Sequence, residues 1–183
     1  MHLRMLEKGA FDVSRLQDQL ITQPQLWDTI RHRTSHPQSP HREVSDIWVR
    51  YNPIENYQGD MQAFNAEHDP EWYPVADKLP EAVRIATDLV VQLNGLMLGA
   101  VLITKIPAGK QVYPHIDQGW HARHFEKFAV QVKGNDRQTF HFENESLVTH
   151  DGDLWWFDNA YPHWVTNASD EDRITLIICV RRD

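Results

Sequence analysis

The sequence predicts a mainly β protein, a sandwich or jelly roll with helices on its N-terminal side. Three observations carry that prediction. From Leu96 onward, short apolar runs recur between turn-forming pairs at Ala108-Gly109, Gly134-Asn135 and Asp151-Gly152. Before them lies a single segment of clear helical periodicity. The chain also holds seven Trp and five Tyr in 183 residues, types that favour pleated strands and aromatic-lined pockets.

In chain order, residues 14–31 read as one or two short helices. Leu16, Leu20, Leu26, Trp27 and Ile30 form their apolar face, and Pro24 is a break or a helix start. Residues 32–42 are polar and interrupted by prolines, which predicts a surface loop, or one that orders over a site when substrate binds. Ser45 to Tyr51 alternates as a strand, with Ile47 and Val49 on one face and Trp48 and Arg50 on the other. Residues 52–80 form a long connection anchored by Phe64, Trp72 and Tyr73. Glu81 to Leu93 is the helix. Pro80 precedes it, Val83, Ala86, Leu89, Val90 and Leu93 make its face, and Asn94-Gly95 ends it. Strands are expected at 96–106, 111–114, 126–132, 137–142, 153–157, 161–166 and 172–181.

Chemistry concentrates in the β half. His115 and Asp117 stand two apart, so on a strand or its edge both point to one side. With a distant His163 they can cap one face of an octahedral metal and leave three positions open, the 2-His-1-carboxylate arrangement of non-haem Fe(II) oxygenases. Taken alone, H-x-D is a weak signal in a chain with eleven His. All three residues fall at strand edges, where a β scaffold holds a ligand rigidly. Arg173 opens the apolar run to Val180, ten residues after His163. It offers a fixed cationic fork for a dicarboxylate, or else an ion pair with Asp170, Glu171 or Asp172.

The pieces Pro107-x-Gly109 before Pro114-His115, then Gly152-Asp153-Leu154-x-x-Phe157-Asp158, then His163-x-Val165 and Arg173 occur in a specific order and spacing. Over residues 101–183 they resemble the aspartyl/asparaginyl β-hydroxylase-type family of 2-oxoglutarate/Fe(II)-dependent dioxygenases. Some members of that family lack the carboxylate ligand, whereas Asp117 is in place here. The resemblance implies a double-stranded β-helix, a cupin-like jelly roll, over residues 96–183, supported by a helical and loop-rich segment 1–95 within one domain. It implies Fe(II), 2-oxoglutarate and O₂ as cofactors, with His115, Asp117 and His163 as metal ligands. Arg173 would anchor the distal carboxylate of 2-oxoglutarate, and Thr104 would supply a small hydroxyl beside it. Lys127 falls near a basic position of the family, although an exposed strand lysine is the simpler reading. The implied reaction is hydroxylation of a C–H bond.

Composition limits the alternatives. Hydrophobic residues make up 41% and charged residues 24%, the balance of a globular domain. A net charge of −8 argues against a broad nucleic-acid surface. The single Cys179 allows no internal disulfide, and no signal-like or membrane-spanning apolar run occurs, so a cytoplasmic protein is expected. The substrate is expected to be an amino acid, an amino-acid side chain or a related small molecule. Its specificity is expected from residues 32–80 and the 118–125 loop, where His121 and His124 line an entrance. Arg31, Arg33, Arg42 and Arg50 either meet an acidic substrate group or balance the acidic surface. Other readings stay open at this stage. One is a cupin-type metal enzyme independent of 2-oxoglutarate, in which Arg173 has no role. Another is a jelly-roll protein that only binds a small ligand, and a third is an interaction domain that binds no metal.

Overall fold

The computed structural model describes residues 1–182; Asp183, the end of the expected C-terminal unit, lies outside them. The N-terminal strands are β1 Leu3–Glu7, β2 Ser45–Tyr51 and β3 Glu71–Trp72. Then follow β4 Met97–Ile106, β5 Gln111–His115, β6 Glu126–Lys133 and β7 Gln138–Phe142. The C-terminal strands are β8 Ser146–Val148, β9 Leu154–Phe157, β10 His163–Asn167 and β11 Arg173–Arg181. All pair antiparallel in two facing sheets, ordered β1-β9-β6-β11-β4-β2-β3 and β5-β10-β7-β8. This is the predicted jelly roll.

The helices are α1 Ser14–Thr22, α2 Met61–Phe64, α3 Pro80–Gln92 and α4 Trp120–His124, with 3₁₀ turns at Pro24–Leu26, Ile54–Asn56 and Pro74–Lys78. Proline starts α3, where its missing N–H costs nothing. The face α3 buries is Ala82, Ile85, Ala86 and Leu89, rotated slightly from the expected one, so that Val83, Val90 and Leu93 pack at its flanks. Asn94 takes φ +52°, and the turn at Asn94-Gly95 ends the helix as predicted.

Strand alternation decides what the larger sheet shows to each side. Ile47 and Val49, Val101 and Ile103, Phe128 and Val130, Leu176 and Ile178 pack outward under α1 and α3 in the principal core. The residues between them face the smaller sheet: Asp46 and Trp48 of β2; Leu102 and Thr104 of β4; Lys127 and Ala129 of β6; Arg173 and Thr175 of β11. A bulge after Trp48 breaks the alternation of β2 and sets Arg50 opposite Val101 and Trp72. The inter-sheet space has its own apolar cluster, including Ile106, Val112, Ala129, Phe140, Trp155 and Phe157. The outer face thus holds the sheet together while the inner face is free to carry polar groups. Among the described residues no helix is long and apolar enough to cross a membrane.

Candidate active site

His115 ends β5 and His163 opens β10, and the two strands pair with these residues directly opposite each other. Asp117 lies two residues beyond the end of β5, its N–H donating to Asn159 O at 3.1 Å. The result is one compact group, the ligand atoms of His115, Asp117 and His163 lying within 4.8 Å of one another. His115 Nε2 is 3.6 Å from Asp117 Oδ1, and His163 Nε2 is 3.8 Å from Asp117 Oδ2.

The far side of each ring fixes its tautomer. His115 Nδ1 bonds Tyr113 O at 2.8 Å, and His163 Nδ1 bonds Tyr161 O at 2.9 Å. A carbonyl only accepts, so each Nδ1 carries the proton and each Nε2 lone pair turns toward Asp117. Burial holds His163 down at about 4, which keeps it neutral at neutral pH. Burial pushes the Asp117 carboxyl up, but the Lys127 ammonium, with His115 and His163 behind it, more than reverses this and holds it well below the usual range. A carboxylate and two imidazoles aimed by their Nδ1 bonds are the donor set a divalent metal needs.

Lys127 corrects the exposed-strand reading. Its side chain turns inward and its ammonium pairs with Asp117. The inner face of β6, which carries Ala129 and Gln131 beside it, explains why. A lysine in a strand whose other face is Phe128, Val130 and Val132 was the available sequence signal.

Arg173 is 1% exposed. Asp170 pairs instead with Arg137 and Glu171 with Lys133, so neither acid claims it. Its Nε and Nη2 reach only the hydroxyls of Thr175 and Thr149, each at 3.4 Å, and Nη1 has no partner among the described residues. Thr149 is held in turn by its hydroxyl bond to Gln131 Oε1 at 2.6 Å. Burial without a counter-ion pulls the guanidinium down to about 9. Arg173 opens onto a cavity of about 60 Å³, whose wall also includes Thr104, His115, Asp117, Lys127 and His163. Thr104 donates to Asp46 Oδ1 at 3.1 Å and accepts from Arg33 Nη2 at 2.7 Å.

A second cavity of about 780 Å³ meets the first at His115, Asp117 and Lys127. The expected surface loop 32–42 forms part of its wall. Arg33 grips Asp46 with two bonds, Nε–Oδ2 at 2.6 Å and Nη2–Oδ1 at 2.8 Å. The His41 ring meets the His115 ring edge to face at 4.6 Å. No periodicity in residues 32–42 distinguishes these inner loop residues from their exposed neighbours. The 118–125 segment is a loop that closes into the short helix α4. There His121 stacks on Tyr51 at 4.8 Å, and its Nε2 accepts from Ala100 N at 3.2 Å. Burial lowers it to about 3. His121 lines the larger cavity, whereas His124 stacks on Trp120 at 4.3 Å.

A family model described as aspartyl/asparaginyl beta-hydroxylase matches residues 25–183. A comparison with curated protein sequences finds no match. Among solved structures, the chain is similar to an oxidoreductase of the 2OG-Fe(II) oxygenase family from Burkholderia pseudomallei, at TM-score 0.66 and 13% identity, covering 100% of this chain and 86% of that one. It is also similar to a viral collagen prolyl hydroxylase from Paramecium Bursaria Chlorella virus-1 in its 2OG complex, at TM-score 0.54 and 11% identity, covering 100% and 97%. A prolyl-4-hydroxylase from Pseudomonas putida matches at TM-score 0.53 and 12% identity, covering 100% and 93%. At such identities these likenesses concern the fold.

Proposed function

The chain belongs to the aspartyl/asparaginyl β-hydroxylase family, and on that premise we propose that His115, Asp117 and His163 hold Fe(II) at the junction of the two cavities. In this reading 2-oxoglutarate runs from the metal at the junction into the smaller cavity, with its distal carboxylate on Arg173 and Thr104 beside it. The substrate, an amino acid, an amino-acid side chain or a related small molecule, occupies the larger cavity. Residues 96–183 carry the site and residues 1–95 support it. The single cysteine is buried in β11, and with the ferrous requirement it supports a cytoplasmic location.

One observation carries the reading: the buried, uncompensated guanidinium of Arg173 on the same small cavity as the metal-ligand group. An unpaired charge in a protein interior is costly, and it persists where an anion completes it. A cupin-type enzyme independent of 2-oxoglutarate has no use for such a group.

Bound iron, with 2-oxoglutarate and O₂, supplies the oxidising power for C–H hydroxylation, and the co-substrate leaves as succinate and CO₂. The protein's own residues position and protect. Tyr113 O and Tyr161 O aim the two Nε2 lone pairs. Thr149 and Gln131 fix the Arg173 fork. Phe140, Trp155 and Phe157 keep the smaller cavity dry, which strengthens the attraction between Arg173 and a carboxylate.

The test is an anaerobic titration of metal-free protein with Fe(II) and then 2-oxoglutarate, followed by the visible charge-transfer band of the chelate. The band is expected only with both present and is expected to be absent in His163→Ala. Metal binding without the band would favour the cupin-type reading, and no metal binding would refute the triad.

A further inference from the structure

We infer that His41 holds the keto-acid end of the co-substrate, by donating a hydrogen bond to the carboxylate that meets the metal. The inference rests on the oxygenase reading above and adds a binding residue from the N-terminal segment to the site.

The two cavities join at a neck, and the walls of both include Arg33, His41, Lys127 and Ile177 beside the ligands His115 and Asp117. In the oxygenase reading the keto-acid end of the co-substrate lies at this neck. A keto acid that reaches a metal through its keto oxygen and one carboxylate oxygen leaves the other carboxylate oxygen without a partner. In a protein interior such an oxygen is costly unless a donor meets it. Ile177 has no side-chain donor. The Lys127 ammonium is paired with Asp117. Arg33 commits Nε and Nη2 to Asp46 and Thr104. The ring nitrogens of His41 bond to nothing among the described residues, and neither is sealed by packed side chains. Neutral or charged, an imidazole carries at least one N–H.

His41 is also fixed against the metal site. Its ring meets the His115 ring edge to face at 4.6 Å. Both of its chain neighbours are tied to Tyr113, on the strand that ends in His115. Tyr113 N donates to Pro40 O at 2.9 Å, and the Arg42 guanidinium carbon lies 3.4 Å from the Tyr113 ring centroid. His41 N donates to Ser39 Oγ at 3.1 Å, and His41 O accepts from Val44 N at 3.2 Å. Ser39 Oγ in turn donates to the Arg33 carbonyl, and the Arg33 side chain is bound to Asp46 on the inner face of β2. Tyr113 O is the acceptor that orients His115. One residue of β5 thus sets both imidazoles, and the donor is in place before the co-substrate arrives.

The test uses full-length protein loaded with Mn(II). The probes are 2-oxoglutarate and 4-oxopentanoate, which keeps the distal carboxylate and the ketone but has a methyl group in place of the keto-acid carboxylate. Affinities are read by calorimetry. His41→Leu should weaken 2-oxoglutarate by about 10- to 100-fold, the range for a hydrogen bond to a charged group. It should leave 4-oxopentanoate and Mn(II) affinity unchanged. His41→Gln, which keeps an N–H donor, should recover most of the loss. In anaerobic Fe(II) protein the charge-transfer band of the 2-oxoglutarate complex should shift in His41→Leu and return toward its wild-type position in His41→Gln. His41→Phe keeps a ring against His115 without an N–H and carries the test if the leucine variant does not fold. Unchanged 2-oxoglutarate affinity and band in both apolar variants would overturn the role of His41 and leave the oxygenase reading standing. Equal weakening of the two probes would also overturn it, because His41 would then act only through packing on His115. A glutamine variant no better than the apolar ones would do the same. Wild-type protein that binds Mn(II) but not 2-oxoglutarate would remove the oxygenase reading and this inference with it.

Discussion

At the scale of single residues, the site trades stability for readiness. Arg173 is a buried charge with two long hydroxyl contacts and one empty donor. Replacing it with Met removes the desolvation cost and keeps most of the volume. Arg173→Met should therefore stabilise ligand-free protein by about 1–3 kcal/mol in urea unfolding and abolish 2-oxoglutarate binding, with metal affinity largely intact. A destabilised variant that still binds 2-oxoglutarate would mean that the anchor lies elsewhere. His121 gives a second prediction, through pH. Its folded value of about 3 lies below the ordinary 6.5, so as pH falls through 6.5 the unfolded chain takes up a proton that the folded one refuses. Its contribution to stability is present above pH 6.5 and is lost progressively as pH falls toward 3. Between pH 7.5 and pH 5 the loss is about 2 kcal/mol, at ~1.4 kcal/mol per pH unit. His121→Asn should flatten the stability profile of metal-free protein by that amount, although His41 and His163 keep some of the slope. An unchanged profile would show that His121 takes its proton as freely when folded as when unfolded.

At the scale of elements, the strands that build the site were legible because they alternate. Ser45–Tyr51 reads as two-faced in sequence, and the structure uses Ile47 and Val49 for the core and Trp48 for the cavity; the expected place of Arg50 beside Trp48 is lost to a bulge that pairs Arg50 with Val101 and Trp72 and brings Tyr51 to the Trp48 side. The spacing of His115 and Asp117 was legible for the same reason. The missed elements are short and owe their form to partners. β3 is two residues long and is defined by Arg50 and Tyr51 opposite it. β8 has three residues and follows β7, and β1 is placed by β9, a partner some 150 residues away in sequence. Arg33 and His41 were illegible as wall residues because no local pattern encodes the Asp46 and His115 contacts that turn them inward. The turn before β9 shows how tightly one connection can be set. Gly152 has φ +84°, its N–H donates to Gln131 O at 2.8 Å, and its carbonyl accepts from Phe11 N at 3.2 Å. A Cβ there is strained by the backbone and meets the Phe11 carbonyl. Gly152→Ala should cost about 1–3 kcal/mol in thermal or urea unfolding. A neutral result would mean that the turn relaxes without disturbing the Phe11 contact.

At the scale of the whole molecule, the inter-sheet space is a pair of unfinished electrostatic arrangements. Asp117 is satisfied by Lys127, and a metal ion must compete with that ammonium for the carboxylate. Arg173 has two long hydroxyl contacts and no carboxylate partner among the described residues, and a dicarboxylate would remove its penalty without displacing a counter-ion. The two ligands should therefore contribute unequally and depend on each other. Metal in the triad also leaves the Lys127 ammonium in need of a new anion, and 2-oxoglutarate brings a second carboxylate to the same small cavity. Mn(II) alone should raise the melting temperature modestly. Mn(II) with 2-oxoglutarate should raise it by more than the separate shifts combined. At ligand concentrations about 100 times Kd, one ligand is worth about 2.7 kcal/mol, or roughly 5–10 °C for a chain of this size. Two variants separate the contributions. Arg173→Met should keep the Mn(II) shift and lose the 2-oxoglutarate increment. Lys127→Met, which frees Asp117, should enlarge the Mn(II) shift and weaken the coupling between the two ligands. Additive shifts in wild type, with the 2-oxoglutarate increment intact in Arg173→Met, would place the dicarboxylate outside the small cavity. Arg173 would then be a buried charge whose partner has yet to be found.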